Sequence, residues 1–598
     1  MSYINIKSIE KYFTLFVFIA LVLLPALEVI TRLFGTTGIV ASQVLVQHLT
    51  LWIGFGGAVI AARRNKLLAL TQKPLFAVNP TINWSKFLAK TITAFLVLAL
   101  AYGSWELVKI EMAYPVNISP LLPRWVAILV MPIGLFLIAV HLIMNGYNKW
   151  RNRGILLAGI IFLSQVGRFD SLRESSIFMW VSILLILFAI YKGAPIFIGL
   201  GGLAILFFWQ DNTSLAAIPT EAYRIVVLPT LSTIPLFTLA GYILAESRAS
   251  ERLVRLFRAL FGWIPGGTPI VLVLLCGFFT ALTGGSGVTI LALGGLLYPL
   301  LMKEGYSKEF SLGLITVAGS LGLLFPPSLP LIIYGVTAAV SVKTIFIAGI
   351  VPGFLRVAMI GGWAVWQGKA QDIKRNKFNF TEVKKSVIET KWEAMIPFLI
   401  LFGIFAGFTT LVETAALTVV YVFILEVFVY KDLKSEDLRK IILDCSTLIG
   451  GVLIILGVAM GLTNYLVDAE IPFKLLAWVK TFISSKLVFL LMLNIFLLAV
   501  GCMMDIFSAI IIVVPLITPL GVYFGIDPVH LAIIFIANLE LGFLTPPVGM
   551  NLFLSAYRFD ENMPTIYKST LPFFMVMLLS VLAITYIPIL STWAVTGP

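Results

Sequence analysis

Apolar runs of about twenty residues, separated by short polar segments, recur along the chain from Tyr12 to Trp593. A bilayer core of about 30 Å takes roughly 20 residues of helix to cross, whereas barrel strands would alternate over about 10 residues. The pattern therefore predicts an all-α polytopic membrane protein. Four spans come first, at residues 12–30, 44–62, 90–110 and 125–144. The first run continues without a small-residue cleavage site, so it reads as an uncleaved span. A shorter apolar run at 155–167 follows, which crosses a membrane only if its ends snorkel or the bilayer thins. Further runs at 177–190 and 195–209 lead into the larger remainder. Three parts are expected: a four-helix module at 1–153, a connecting helix and loop at 154–176, and a large module at 177–598.

The large module repeats itself. An offset of 220 takes Gly241 to Gly461, Pro299 to Pro519, Gly305 to Gly525, Gly322 to Gly542, and the pair Pro326-Pro327 to Pro546-Pro547. Coincident glycines and prolines constrain backbone, which chance leucine matches do not. The copies are expected at about 226–367 and 446–592. Crossings at 226–246, 310–340, 345–367, 395–410 and 412–430 are odd in number, which turns the second copy over. This count takes 271–298 and 488–520 as re-entrant hairpins.

Composition fits the reading. Of 598 residues, 60% are apolar and 12% charged, against about 45–50% and about 25% in soluble domains. The net charge of +13 sits in segments between spans, a sign of orientation and not of a nucleic-acid partner. Lys7 and Lys11 precede the first span, Arg63, Arg64 and Lys66 follow the second, and Lys149, Arg151 and Arg153 follow the fourth. That places the N-terminus and the end of the four-span module in the cytoplasm. Cys276, Cys445 and Cys502 lie in apolar runs, and His48, His141 and His530 are scattered, so neither disulfides nor a His/Cys metal centre is expected. No Walker motif, catalytic nucleophile or organic-cofactor motif is found, which excludes an ATP-driven pump and argues against an enzyme.

Inverted repeats with paired helix breaks are the architecture of secondary transporters, which bind solute and ion where helices unwind near the bilayer midplane. Four breaks are predicted. The first is Thr283-Gly284-Gly285-Ser286-Gly287, with Thr289 one turn on, in the first hairpin. The second is the run Gly322, Leu323, Leu324, Phe325, Pro326, Pro327 and Ser328, where consecutive prolines remove two N–H donors from one discontinuous helix. The third, in the second hairpin, contains Asp505 and Ser508. The fourth, in the second discontinuous helix, contains Gly542, Thr545, Pro546, Pro547 and Gly549, preceded by Asn538 and Glu540. Each has a plainer reading: small-residue packing at 283–287, a simple kink at 326–327, and for Asp505 and Glu540 carboxylates that only satisfy freed N–H groups. Arg356, mid-span, either lines an anion's path or pairs structurally. Hydroxyls and carbonyls are hard donors that suit Na⁺, and the intramembrane carboxylates are too few for a proton relay.

From Asp527-Pro528-Val529-His530, and from Asn538 to Asn551, the chain closely resembles the large membrane subunit of tripartite ATP-independent periplasmic (TRAP) transporters. Gly284, Ser286, Thr289, Gly305-Tyr306 and the run 322–335 agree, and the first four spans resemble the family's small subunit. The resemblance implies a sodium-coupled, elevator-type importer of small carboxylates in the bacterial inner membrane, supplied by a periplasmic solute-binding protein. Na⁺ would be held by Thr283 and the Gly322 to Pro327 carbonyls in one half, and by Asp505 and the Gly542 to Pro547 carbonyls in the other. A monomer is expected. Gly285 departs from a common Ser, Leu411-Val412 from a usual Pro-Thr before Glu413, and Ser42-Gln43-Val44 from a Ser followed by two acidic residues. The rival reading is a standalone sodium/anion symporter with re-entrant hairpins that needs no binding protein.

Overall fold

The structure, a computed structural model, describes the chain except residues 1–5, 36–37, 40, 70–83, 120–121, 147–149, 167–169, 265–266, 371–377, 547–548 and 594–598. Among the described residues the regular structure is helical apart from an isolated bridge and a small ribbon that pairs Asn117–Ser119 with Leu122–Pro123. Among the described residues eleven helices are long and apolar enough to cross a membrane, or up to twelve if Ala217–Val226 and Pro229–Glu246 count together. The first four are Ser8–Leu33, Ser42–Arg63, Trp84–Ala113 and Arg124–Asn145, where the periodicity placed them. The run at 155–167 falls within the helix Trp150–Val166, whose apolar part, Arg153–Gln165, is shorter than a span.

Two compact units form, one from Met1–Pro235 with Ile442–Pro472, the other from Leu236–Ile441 with Phe473–Pro598. In the first, small residues let backbones touch. A Cβ on Gly57 would lie 2.0 Å from the Ser446 carbonyl oxygen, and one on Gly450 2.1 Å from the Ala58 amide nitrogen, so neither position accepts a side chain. Several ionisable groups there are paired: Glu10 bridges Arg63 at 2.6 Å and His141 at 2.7 Å, and Arg64 pairs with Asp444. The Pro-rich connection at 111–123 is anchored at its base by Arg124, whose Nε and Nη2 donate to the two Glu111 oxygens at 2.8 and 2.7 Å.

The second unit carries the repeat in its helix ends. Ser286–Lys303 and Ile506–Tyr523 start and stop 220 residues apart, and Lys308–Ala318 and Pro528–Gly542 start 220 apart. The punctuation is shared: Gly305 and Gly525 turn with positive φ, and Ser307 and Asp527 cap the helices that follow. The copies also pack reciprocally. Ser286–Lys303 lies on Met550–Phe559 while Ile506–Tyr523 lies on Leu329–Thr337, and Lys308–Ala318 lies on Met563–Tyr586 while Pro528–Gly542 lies on Val342–Ala370. Exchange of partners in this way is the mark of a pseudo-two-fold relation.

The two copies differ at their first helix. The crossing expected at 226–246 begins at Pro229 and runs to Glu246, set off by the extended Leu228 from a separate helix that ends at Val226. Its counterpart, Ser435–Asp468, is continuous for 34 residues. Pro229 has no N–H and keeps the residue before it out of the helical region, whereas Ile449 stands at the matching position. The crossing expected at 395–410 is reduced to the ten-residue helix Ile396–Phe405.

Candidate functional site

All four predicted interruptions are present in the second unit. Helix Gly267–Thr283 stops because Gly284 takes φ +67°, and the next helix opens at Ser286 behind Gly285. Lys308–Ala318 stops well before Leu329, where the chain re-enters helix after Pro326 and Pro327. These two breaks meet: a Cβ on Gly284 would lie 2.3 Å from the Cβ of Leu329. Gly322 is pressed against the helix Gly267–Thr283, where its Cβ would lie 2.2 Å from the Gly277 carbonyl oxygen. Leu324 is buried, and Phe325 packs edge-on to Phe354 with centroids 5.1 Å apart.

Hydroxyls crowd this first junction, and two lack partners. The Thr283 and Ser328 oxygens are buried with no hydrogen-bond partner among the described residues. Thr289, by contrast, is 2.7 Å from Thr280, which donates to the Gly319 carbonyl at 2.8 Å. Ser286 donates to Asn551 at 2.7 Å, and Asn551 donates to the Thr316 carbonyl at 3.2 Å. That last chain ties the first interruption to the helix after the fourth.

In the second copy the contact between breaks is made by bare backbone. A Cβ on Gly542 would lie 2.6 Å from the Gly501 Cα, and the Gly549 amide donates to the Cys502 carbonyl at 3.0 Å. Asp505 occupies the N-cap of Ile506–Tyr523, accepting from the Phe507 and Ser508 amides at 3.0 and 3.1 Å and from the Ser508 hydroxyl at 2.5 Å. Its carboxylate is thus held by the helix that it starts. Asp505→Ala is expected to lower stability by about 1 kcal/mol and Asp505→Asn by much less, since Asn still caps; thermal unfolding of the purified variants measures this.

The two polar residues before the fourth break face neighbouring helices. Asn538 donates to Asn494 at 2.7 Å and to the Ile534 carbonyl at 2.8 Å, and Thr585 donates to the same Asn494 oxygen at 3.1 Å. Glu540 pairs with Arg356, which also donates to the Ala537 carbonyl at 2.7 Å, so Arg356 is a partner of this break. Thr545 donates to the Leu541 carbonyl at 3.0 Å, and Pro546 is exposed. Pro547 lies outside the described residues. The carbonyls of Gly322 and Gly542 each accept the amide three residues on, at 3.0 Å, which leaves a lone pair on each. Glu413 stands elsewhere, closing a capping box with Thr410.

Sequence reasoning missed Thr280, Thr316, Asn551 and Asn494. Thr280 lies one turn before Thr283, and Asn494 interrupts an apolar run, both usable signals. Thr316 and Asn551 are 235 residues apart, and nothing in their spacing brings them together.

Residues 181–590 match the family described as the tripartite ATP-independent periplasmic transporter, DctM component, and residues 21–152 match the DctQ component. An isethionate TRAP transporter permease protein, DctMQ, from Oleidesulfovibrio alaskensis is 28% identical over 93% of this chain and 88% of its own length. The C4-dicarboxylate TRAP transporter large permease protein DctM of Vibrio cholerae is 33% identical over 68% of this chain and 94% of its own. The ectoine/5-hydroxyectoine large permease protein UehC of Ruegeria pomeroyi is 28% identical over 69% of this chain and 96% of its own. With broken helices paired at matching positions and both component families matched in one polypeptide, the chain belongs to the TRAP transporter permeases, as a fusion of the DctQ and DctM components.

Proposed function

We propose that this permease imports a small organic anion, driven by an inward Na⁺ gradient and supplied by a separate periplasmic binding protein. The relatives named above carry isethionate, C4-dicarboxylates and ectoine, all of which bear a carboxylate or sulfonate. The observation that carries the sodium reading is the pair of unpartnered buried hydroxyls, Thr283 and Ser328, on either side of the contact between Gly284 and Leu329. A buried hydroxyl without a partner costs about 1–3 kcal/mol, and a hard cation removes that cost by coordination. Thr283 closes a helix, whose C-terminal dipole favours a cation, while Ser286 and Leu329 open helices, whose N-terminal amides favour an anion.

The same reading has the helix pairs Gly267–Thr283/Ser286–Lys303 and Lys486–Met503/Ile506–Tyr523 entering and leaving the membrane on one side, the copies inverted, and the site moved by an elevator displacement. The N-terminus lies in the cytoplasm and the protein in the bacterial inner membrane. Proteoliposomes containing the purified chain should take up solute only with both an inward Na⁺ gradient and the cognate binding protein. Uptake without the binding protein points to a standalone symporter, and uptake without Na⁺ removes the sodium reading. Thr283→Val and Ser328→Ala should each raise the Na⁺ concentration for half-maximal uptake by about 5- to 10-fold, from the loss of roughly 1 kcal/mol of coordination.

A further inference from the structure

Away from these breaks, the second unit buries another polar cluster. The helix Ala249–Phe261 is amphipathic, turning Leu253, Val254 and Leu256 inward. It sets Arg252 against the helix Phe380–Ala394 and the end of the span Leu411–Val429. Arg252 reaches three carboxylates: Nε to Glu393 at 2.5 Å, Nη2 to Glu426 at 3.0 Å and Nη1 to Asp432 at 2.7 Å. Its guanidinium also stacks 3.9 Å from the centre of the Tyr430 ring.

Nε and Nη2 form the edge of a guanidinium that ordinarily grips the two oxygens of one carboxylate. Here two carboxylates share that edge. With all groups ionised, three negative charges would face one positive charge, and Glu393 and Glu426 are both fully buried. The second oxygen of each, Oε2 of Glu393 and Oε1 of Glu426, has no hydrogen-bond partner among the described residues. Two buried carboxylates on one guanidinium edge, each with its other oxygen left bare, are costly. A single proton removes one charge and supplies the missing donor. Among the described residues no three His, Cys, Asp or Glu side chains are grouped to hold a metal ion.

We propose that Glu393 and Glu426 form a proton-binding site, sharing one exchangeable proton that strengthens the hold of the helix Ala249–Phe261 on the helices Phe380–Ala394 and Leu411–Val429. Burial, with Asp432 beside it, outweighs the lowering by Arg252 and Tyr430 and leaves the Glu393 carboxyl raised to about 7. The other groups facing the pair are the Ser247 hydroxyl, beside Glu426, and Tyr421, beside Glu393. Arg248 contributes its amide to Asp432, and Arg255 pairs with Glu389 at the exposed rim. Because the folded state holds the proton more tightly than the unfolded chain, the stabilisation declines as pH rises from the ordinary carboxylate range to about 7 and is flat above it.

Infrared pH-difference spectroscopy of the full chain in lipid nanodiscs, from about pH 5 to about pH 9, reads the proton directly. The expected result is a protonated-carboxyl band lost as pH rises through neutrality and missing from both Glu393→Gln and Glu426→Gln. The wild-type unfolding midpoint should fall over the same range, while that of Glu393→Gln, in which the amide stands in for the protonated acid, stays level. Absence of the band in wild type, its persistence in both variants, or a response that follows Na⁺ concentration and not pH would each overturn the proposal.

Discussion

Replacing Arg356 alone by leucine is expected to destabilise the protein by about 3–5 kcal/mol, because it leaves Glu540 as an uncompensated charge in a fully buried place. The guanidinium also satisfies the Ala537 carbonyl, so the helix just before the fourth break loses two contacts at once. Replacing both partners, Arg356→Leu with Glu540→Leu, should recover most of the loss, since two apolar groups carry no desolvation cost. Unfolding of the single and double variants in detergent closes the cycle. A single variant as stable as wild type would mean that Glu540 finds another partner or is neutral without Arg356.

The second large effect is expected at Gly542. An alanine there would place its Cβ 2.6 Å from the Gly501 Cα and 2.7 Å from the Gly501 carbonyl carbon, and backbone does not yield as the tip of a flexible side chain does. Overpacking of this kind costs about 1–3 kcal/mol, here set against the contact that holds the third interruption to the fourth. Uptake by Gly542→Ala should fall by roughly 5- to 150-fold at unchanged expression. Gly362→Ala is the control, since nothing lies within 4 Å of that Cβ. Equal loss in both variants would trace the effect to helix insertion and not to this contact.

Legibility differed by residue type. Prolines and glycines were readable because their effects are local: Pro326-Pro327 ends helical pairing wherever it stands, and Gly284 allows the turn that it makes. Pro229 acts in the same local way, and the helix boundary there was missed because its partner at 449 is an isoleucine, so the repeat did not flag it. Charged and polar residues were less readable. Asp505 read first as a ligand and second as a carboxylate that caps freed amides, and in the structure it is the N-cap of Ile506–Tyr523. Arg356 was open because its partner Glu540 is 184 residues away.

By itself, the sequence determined that the chain is a bundle of membrane helices and where four of their interruptions fall, at offsets of 220 residues. Those properties follow from hydropathy over a bilayer's thickness and from backbone rules that act within one turn. Only the tertiary structure decided that Ser286 meets Asn551, that Arg252 gathers three carboxylates, and that Thr283 and Ser328 are left without partners among the described residues. A polar side chain in a low-dielectric interior must take its partner from whatever helix packs beside it, and residue spacing does not encode which helix that is.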